Sequence, residues 1–242
     1  MATVLVCDAT RINEYATTIL SGSESALDRV FRYGDEVPAE RRLLLATAGL
    51  TAVQPEGWKL VQRESWSTEE LLLAIEEECE EGDRIVLVSG DEPLLQLSVT
   101  ERLLQLQSNY RTEYTFADGY PEGMAPELVD VSILPVLRSF NRERPEEPGR
   151  DLLFRLIQHD INAFDLETEI SPVDLRLLRA SLTCDSRRDF LLCRRLLDTG
   201  MMEEETILNR LPAERRLLRT LPAYFTLQVT NQLSQKVSYE PF

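Results

Sequence analysis

"RIVLVSGDEPLL", Arg84 to Leu95, decides the fold class. Its first half, Ile85-Val-Leu-Val88, is an unbroken apolar run of strand length. A strand with one face in water alternates apolar and polar residues; a continuous run belongs in the middle of a parallel sheet, covered on both faces. Gly90, Asp91, Glu92 and Pro93 then end the strand. In open α/β sheets, ligands bind beyond the carboxyl ends of the strands. An acid at this point is therefore placed either to hold a divalent cation or merely to close the strand with a turn.

The flanking sequence alternates strand and helix signals. Thr3–Cys7 is a short β-branched run ending at Asp8, and Arg42–Thr47 and Gly57–Gln62 read as further strands. Ser25–Arg32 has helical spacing. Ser67-Thr-Glu-Glu70 fits a capping box, after which Leu71, Leu72, Ile75 and Cys79 share a helix face that Gly82-Asp83 stops. Another helix is expected from about Thr100 and a strand near Thr112–Phe116. This alternation predicts a layered α/β domain with a mostly parallel sheet. Further on, Ser139–Pro148 ("SFNRERPEEP") reads as a loop, Asp151–Gln158 as a helix and Phe164–Thr168 as a strand. After Pro172 the chain looks helical almost to Pro222, punctuated by Gly200 and Pro212, and then enters the strand-like run Tyr224–Thr230.

The composition excludes several functions. The 242 residues carry a net charge of −16, which repels nucleic-acid phosphates and anionic membranes. The expected partners therefore include neither nucleic acid nor membrane. No apolar run approaches the ~20 residues of a membrane span. The stretch Met1–Asp8 lacks the basic flank of a signal peptide, so a cytoplasmic protein is expected. Cys7, Cys79, Cys184 and Cys193 form no CxxC pair, and His159 is the lone histidine. This argues against a zinc site and against a His-assisted nucleophile, and for buried free thiols.

The acids after the central strand have a possible companion in "FDLETEISPVDL". Strand alternation puts Asp165, Glu167 and Glu169 on one face. If that strand lies near the end of Ile85–Val88, Asp91 and one of these acids could share a magnesium ion. The segment "FADGYPEGMAPEL", Phe116 to Leu128, is dense in glycine, proline and acids and reads as an irregular loop at another strand end, with Asp118 at its start. Phosphate binding has less support. The first strand is followed by "DATRINEYATTILSGSES", with the single glycine Gly22, no lysine, and Arg11 as its one cation.

Gly90-Asp-Glu-Pro-Leu-Leu, "SALDRVFRY" (Ser25 to Tyr33) and "DLETEISPVDLRLL" together resemble the cytidylyltransferases that activate sugars, over about residues 1–181. That resemblance implies a GT-A, or nucleotide-diphosphosugar transferase-like, three-layer α/β fold. It implies Asp91 as first metal ligand and Asp165 as second, with Glu167 a rival for the second role. It also implies a nucleotide site drawing on Arg11, Gly90, Asp91 and Asp118. The tail "NQLSQKVSYEPF" adds a second resemblance: Leu233, Val237 and Glu240 have the spacing of the CxxxCxxC cluster loop of radical S-adenosylmethionine enzymes. With cysteines at those positions the whole chain resembles the front part of the spirochaete-type radical SAM/SPASM proteins. Such a parent would carry a 4Fe–4S cluster and S-adenosylmethionine. The expected organisation is a nucleotidyltransferase-like domain over 1–181, a helical linker over 182–222, and over 223–242 the first strand and emptied cluster loop of a truncated barrel. A barrel needs roughly 200 residues beyond Phe242. The three cysteines are expected to have been replaced; Leu, Val and Glu codons in the natural gene would refute that. The resulting expectation is an accessory or binding module for a nucleotide, a sugar-like group or a peptide, inactive by itself and partnered by its missing barrel. A magnesium-dependent cytidylyl-type transferase using Asp91 and Asp165 is the alternative, and a purely structural docking domain the second.

Overall fold

The computed structural model describes residues 2–50 and 54–220. The expected tail strand Tyr224–Thr230 and the positions Leu233, Val237 and Glu240 lie outside the described residues. In chain order the elements are β1 (Thr3–Ala9), α1 (Glu14–Thr17), β2 (Ile19–Ser21), β3 (Glu24–Ser25), α2 (Ala26–Glu36), β4 (Arg41–Thr47), β5 (Lys59–Arg63) and α3 (Thr68–Glu77). There follow β6 (Arg84–Ser89), α4 (Leu97–Tyr110), β7 (Tyr114–Asp118), β8 (Glu127–Asp130), α5 (Leu134–Glu143), α6 (Leu152–Ile157), β9 (Leu166–Ile170), α7 (Arg187–Asp198) and α8 (Glu204–Thr220).

Seven strands form one sheet in the order β5-β4-β1-β6-β8-β7-β9. β1, β4, β5 and β6 pair in parallel, as do β7 and β9; β8 runs against both β6 and β7. Six strands thus share one direction. The apolar run of β6 lies beside β1, with Cys7 opposite Val88 and Asp8 opposite Ser89. Alternate side chains of β1 serve opposite layers. Val4 and Val6 pack with Leu71 and Ile75 of α3, Leu137 of α5 and Leu156 of α6. Leu5 and Cys7 pack with Leu27 and Val30 of α2 and Leu103 of α4. The chain is therefore a three-layer α/β domain.

Local chemistry sets the helix starts. Both capping boxes form: the Ser25 hydroxyl accepts from the Asp28 N–H while the Asp28 carboxylate accepts from the Ser25 N–H, and Ser67 and Glu70 do the same. A third apolar cluster joins α7 and α8 to the β2–β3 hairpin, through Leu20, Met124, Leu182, Phe190, Leu196 and Ile207.

Three expectations need correction. Ser139–Glu143 is the last part of α5, not loop; Pro135 in its first turn and buried Leu134 and Leu137 favour the helix. Residues 171–186 are mostly irregular, with one 3₁₀ turn at Arg176–Leu178, because their backbone bonds to the 119–122 loop and to Asp91 instead of to itself. Pro212 lies inside α8.

Candidate functional site

The cleft at the carboxyl ends of β1 and β6 is built from strand-end acids. β1 delivers Asp8, whose carboxylate accepts from the Thr10 N–H at 2.9 Å and the Thr10 hydroxyl at 2.6 Å. β6 delivers the Gly90–Pro93 turn. Gly90 is required by close approach: a Cβ there would meet Leu27 at 3.0 Å and Ala9 at 3.1 Å. Its N–H donates to the Asp8 carbonyl at 2.9 Å, which ties the ends of the two strands together. Asp91 and Glu92 are both 4% exposed. The Glu92 carboxylate accepts from the Ser89 N–H at 2.9 Å, and the Asp91 carbonyl accepts from the Cys184 N–H at 2.8 Å.

The loop between β7 and β8 covers this cleft. Gly123 has φ +85°, and a Cβ there would lie 2.7 Å from the Leu182 carbonyl oxygen. That close contact brings residues 182–185 against the turn. A cavity of about 200 Å³ results, lined by Asp8, Ser89, Glu92, Tyr120, Glu122 and Arg150 among others. An adjoining cavity of about 270 Å³ is lined by Asp8, Arg11, Asp91, Arg150 and Asp185.

Arg150, just ahead of α6, sits among these acids. Its Nη2 donates to both Asp91 oxygens at 2.7 Å and its Nε to Glu92 Oε1 at 3.2 Å. Its Nη1 is 3.4 Å from Glu122 Oε1 and 3.4 Å from Asp185 Oδ2. Burial alone would lower the Arg150 pKa, but the Asp91 and Glu92 carboxylates drive it up. Burial pushes Glu92 up to about 8; Arg150 pulls it back and Asp91 adds to the rise. Burial also raises Asp8, against the two Thr10 hydrogen bonds.

The sequence-predicted residues divide. Gly90, Asp91 and Arg11 lie at the cleft, but the Arg11 Nη1 donates to the Pro148 carbonyl. Asp118 ends β7 and accepts from Arg176 at 3.1 Å. Asp165 is not brought to Asp91. Ile85, Val129, Tyr114 and Leu166 stand in one row across the sheet, so Asp165 lies one residue before that row while β6 runs four residues past it to Ser89. At ~3.3 Å per residue, the two acids are at least ~15 Å apart along the strands. Glu167 lies mid-strand opposite Thr115. Glu169, nearer the carboxyl end, is the acid of this strand that approaches the site. It accepts from Arg102 Nε at 2.7 Å, and Arg102 also donates to the Tyr120 hydroxyl at 3.0 Å. A magnesium ion shared by Asp91 with Asp165 or Glu167 does not fit these residues. Among the described residues no group of three or more His, Cys, Asp or Glu is placed to hold a metal. Asp8 reads in the sequence only as a strand end and Glu122 only as part of the irregular loop, and nothing marks Arg150 or Asp185, since no spacing links them to Asp91.

Solved structures match this architecture. The chain superposes on a cytidylyltransferase from Leptospira borgpetersenii with a TM-score of 0.64 at 14% identity, over 98% of each chain. The fold is that of the cytidylyltransferases. It also matches 2-C-methyl-D-erythritol 4-phosphate cytidylyltransferase from Thermus thermophilus (TM-score 0.60, 12% identity, 82% of this chain and 100% of that one). A Mycobacterium tuberculosis protein solved with manganese matches with a TM-score of 0.57 and 16% identity, over 81% and 98% of the two chains. No protein-family model matches. Two curated relatives, both uncharacterized proteins of Treponema pallidum (strain Nichols), are 38% identical over 89 residues and 30% identical over 64 residues. These matches take in 37% and 26% of this chain but 24% and 29% of the relatives, so the chain spans about a quarter of the length of each. Among the described residues no helix is long and apolar enough to cross a membrane.

Proposed function

We propose that this chain is a nucleotidyltransferase-like binding module whose strand-end cleft holds a nucleoside- or sugar-like ligand without transferring a nucleotidyl group. One observation carries the reading. Where a triphosphate would need backbone N–H groups and spare cations, β1 leads into a short helix and a hairpin, and Arg11 is bound to the Pro148 carbonyl. The cleft is walled by Asp8 and Glu122, which oppose a naked triphosphate, and the Arg150 of the same wall is engaged by Asp91. The module would serve a larger protein of the radical SAM/SPASM type, with the barrel as its partner. The tail spacing and the greater length of the first Treponema relative, of which the 89 matched residues are 24%, support that context.

A thermal-shift panel tests the reading, using cytidine, CMP, CTP and a nucleotide sugar, each with and without Mg²⁺. Ligand at 100 times its Kd should add about 2.7 kcal/mol of stability, with no pyrophosphate released from CTP. If no compound raises the Tm, the nucleotide-module and transferase readings fail and the docking reading gains. Magnesium-dependent pyrophosphate release, lost in Asp91→Asn, would establish the second reading, a nucleotidyl transferase, which the cytidylyltransferase neighbours favour. The parent assignment has its own test: a full-length protein carrying Leu233→Cys, Val237→Cys and Glu240→Cys should show an iron–sulfur absorption band after anaerobic reconstitution.

A further inference from the structure

The Asp91 site is surrounded like a cation site, and its cation is part of the chain. Four carboxylates, those of Asp91, Glu92, Glu122 and Asp185, converge on the Arg150 guanidinium at 2.7 to 3.4 Å. Asp91 and Glu92 are almost fully buried. Backbone bonds pin the chain around the cup, while the Asp91 carboxylate itself is held by Arg150. The Ser89 N–H fixes the Glu92 carboxylate, the Cys184 N–H fixes the Asp91 carbonyl, and the Leu182 N–H donates to the Glu122 carbonyl at 2.8 Å. A hard divalent ion demands a close shell of oxygens, and among the described residues no group of three or more of these acids is placed to give one. A guanidinium has five donors in a rigid fork, and it neutralises the cup while matching the carboxylates by hydrogen bonds.

We infer that Arg150 is the resident cation of this cup, so that the chain neutralises the buried Asp91 carboxylate without a divalent metal. Withdrawing one partner of a buried ion pair leaves the other charge uncompensated. In Arg150→Gln the buried Asp91 carboxylate is left without its partner. The inference stands whether or not the cleft takes a nucleotide, because the metal alone reads it.

Manganese titration followed by electron paramagnetic resonance is the test. At neutral pH, wild-type protein should leave Mn²⁺ free up to millimolar concentration. Metal-free Arg150→Gln should melt several degrees below wild type, because the Asp91 carboxylate loses its partner. Wild-type protein that binds one Mn²⁺ per chain, with that uptake lost in Asp91→Asn, overturns the inference. If Arg150→Gln does not fold, the wild-type titration still decides, together with the Tm of metal-free Asp91→Asn. Loss of the Arg150 partner should lower that Tm by several degrees. A carboxylate kept for an absent metal would instead leave it unchanged or raise it.

Discussion

Glu92 makes the cleft sensitive to pH. Burial raises its pKa from the ordinary 4.5 to about 8. Between these values the folded protein keeps a proton that the unfolded chain has released. Stability therefore falls as pH rises through the window, by at most ~1.4 kcal/mol per pH unit for one proton. Glu92→Gln removes the titration, so its Tm should fall less than the wild-type Tm between pH 5 and pH 8. Parallel curves would show that Glu92 ionises normally. A second residue reverses a common expectation. Replacing a glycine within a helix by alanine usually stabilises by up to ~1 kcal/mol, but at Gly34 a Cβ would lie 2.4 Å from Trp58 and 2.6 Å from Leu5. Gly34→Ala should therefore destabilise by roughly 1–3 kcal/mol through overpacking, as measured by urea unfolding.

Elements were legible where their cause is local. The Ser67–Glu70 capping box is written in four consecutive residues, and the structure forms it. Ser67→Ala should cost about 1 kcal/mol in the same urea experiment; an unchanged midpoint would mean that packing alone holds α3. The sequence puts the start of α4 near Thr100 instead of Leu97, because Gln96 provides no side-chain cap. β8 passed unnoticed: four residues, Glu127 to Asp130, are too few to show a period. The site was less legible than the sheet. Asp91 follows its strand directly, whereas Arg150 lies 59 residues away in a stretch bordering the charged segment that reads as loop. Tertiary folding alone joins them.

At the scale of the whole molecule, the cleft depends on the helical segment that follows the sheet. Leu182, Phe190, Leu196 and Ile207 share one apolar cluster with Leu20 of the hairpin and Met124 of the loop, and the Cys184 N–H reaches the Asp91 carbonyl. A chain ending at residue 181 would expose that surface and lose that bond. It should be less soluble than a chain of residues 1–220 and should melt at a lower temperature. Equal melting would mark 1–181 as an independent domain.

The reversed strand also bears on how such a cleft can diversify. Because β8 returns against β7, residues 119–126 join the two strands by one short bend above the carboxyl ends. A parallel strand would have needed a crossover of a dozen or more residues, and its loop would have emerged elsewhere. Here any lengthening of the bend falls directly over Glu92 and Arg150 and leaves strand register alone. This one loop is therefore where a designer, or natural variation, could change ligand choice while keeping the scaffold intact.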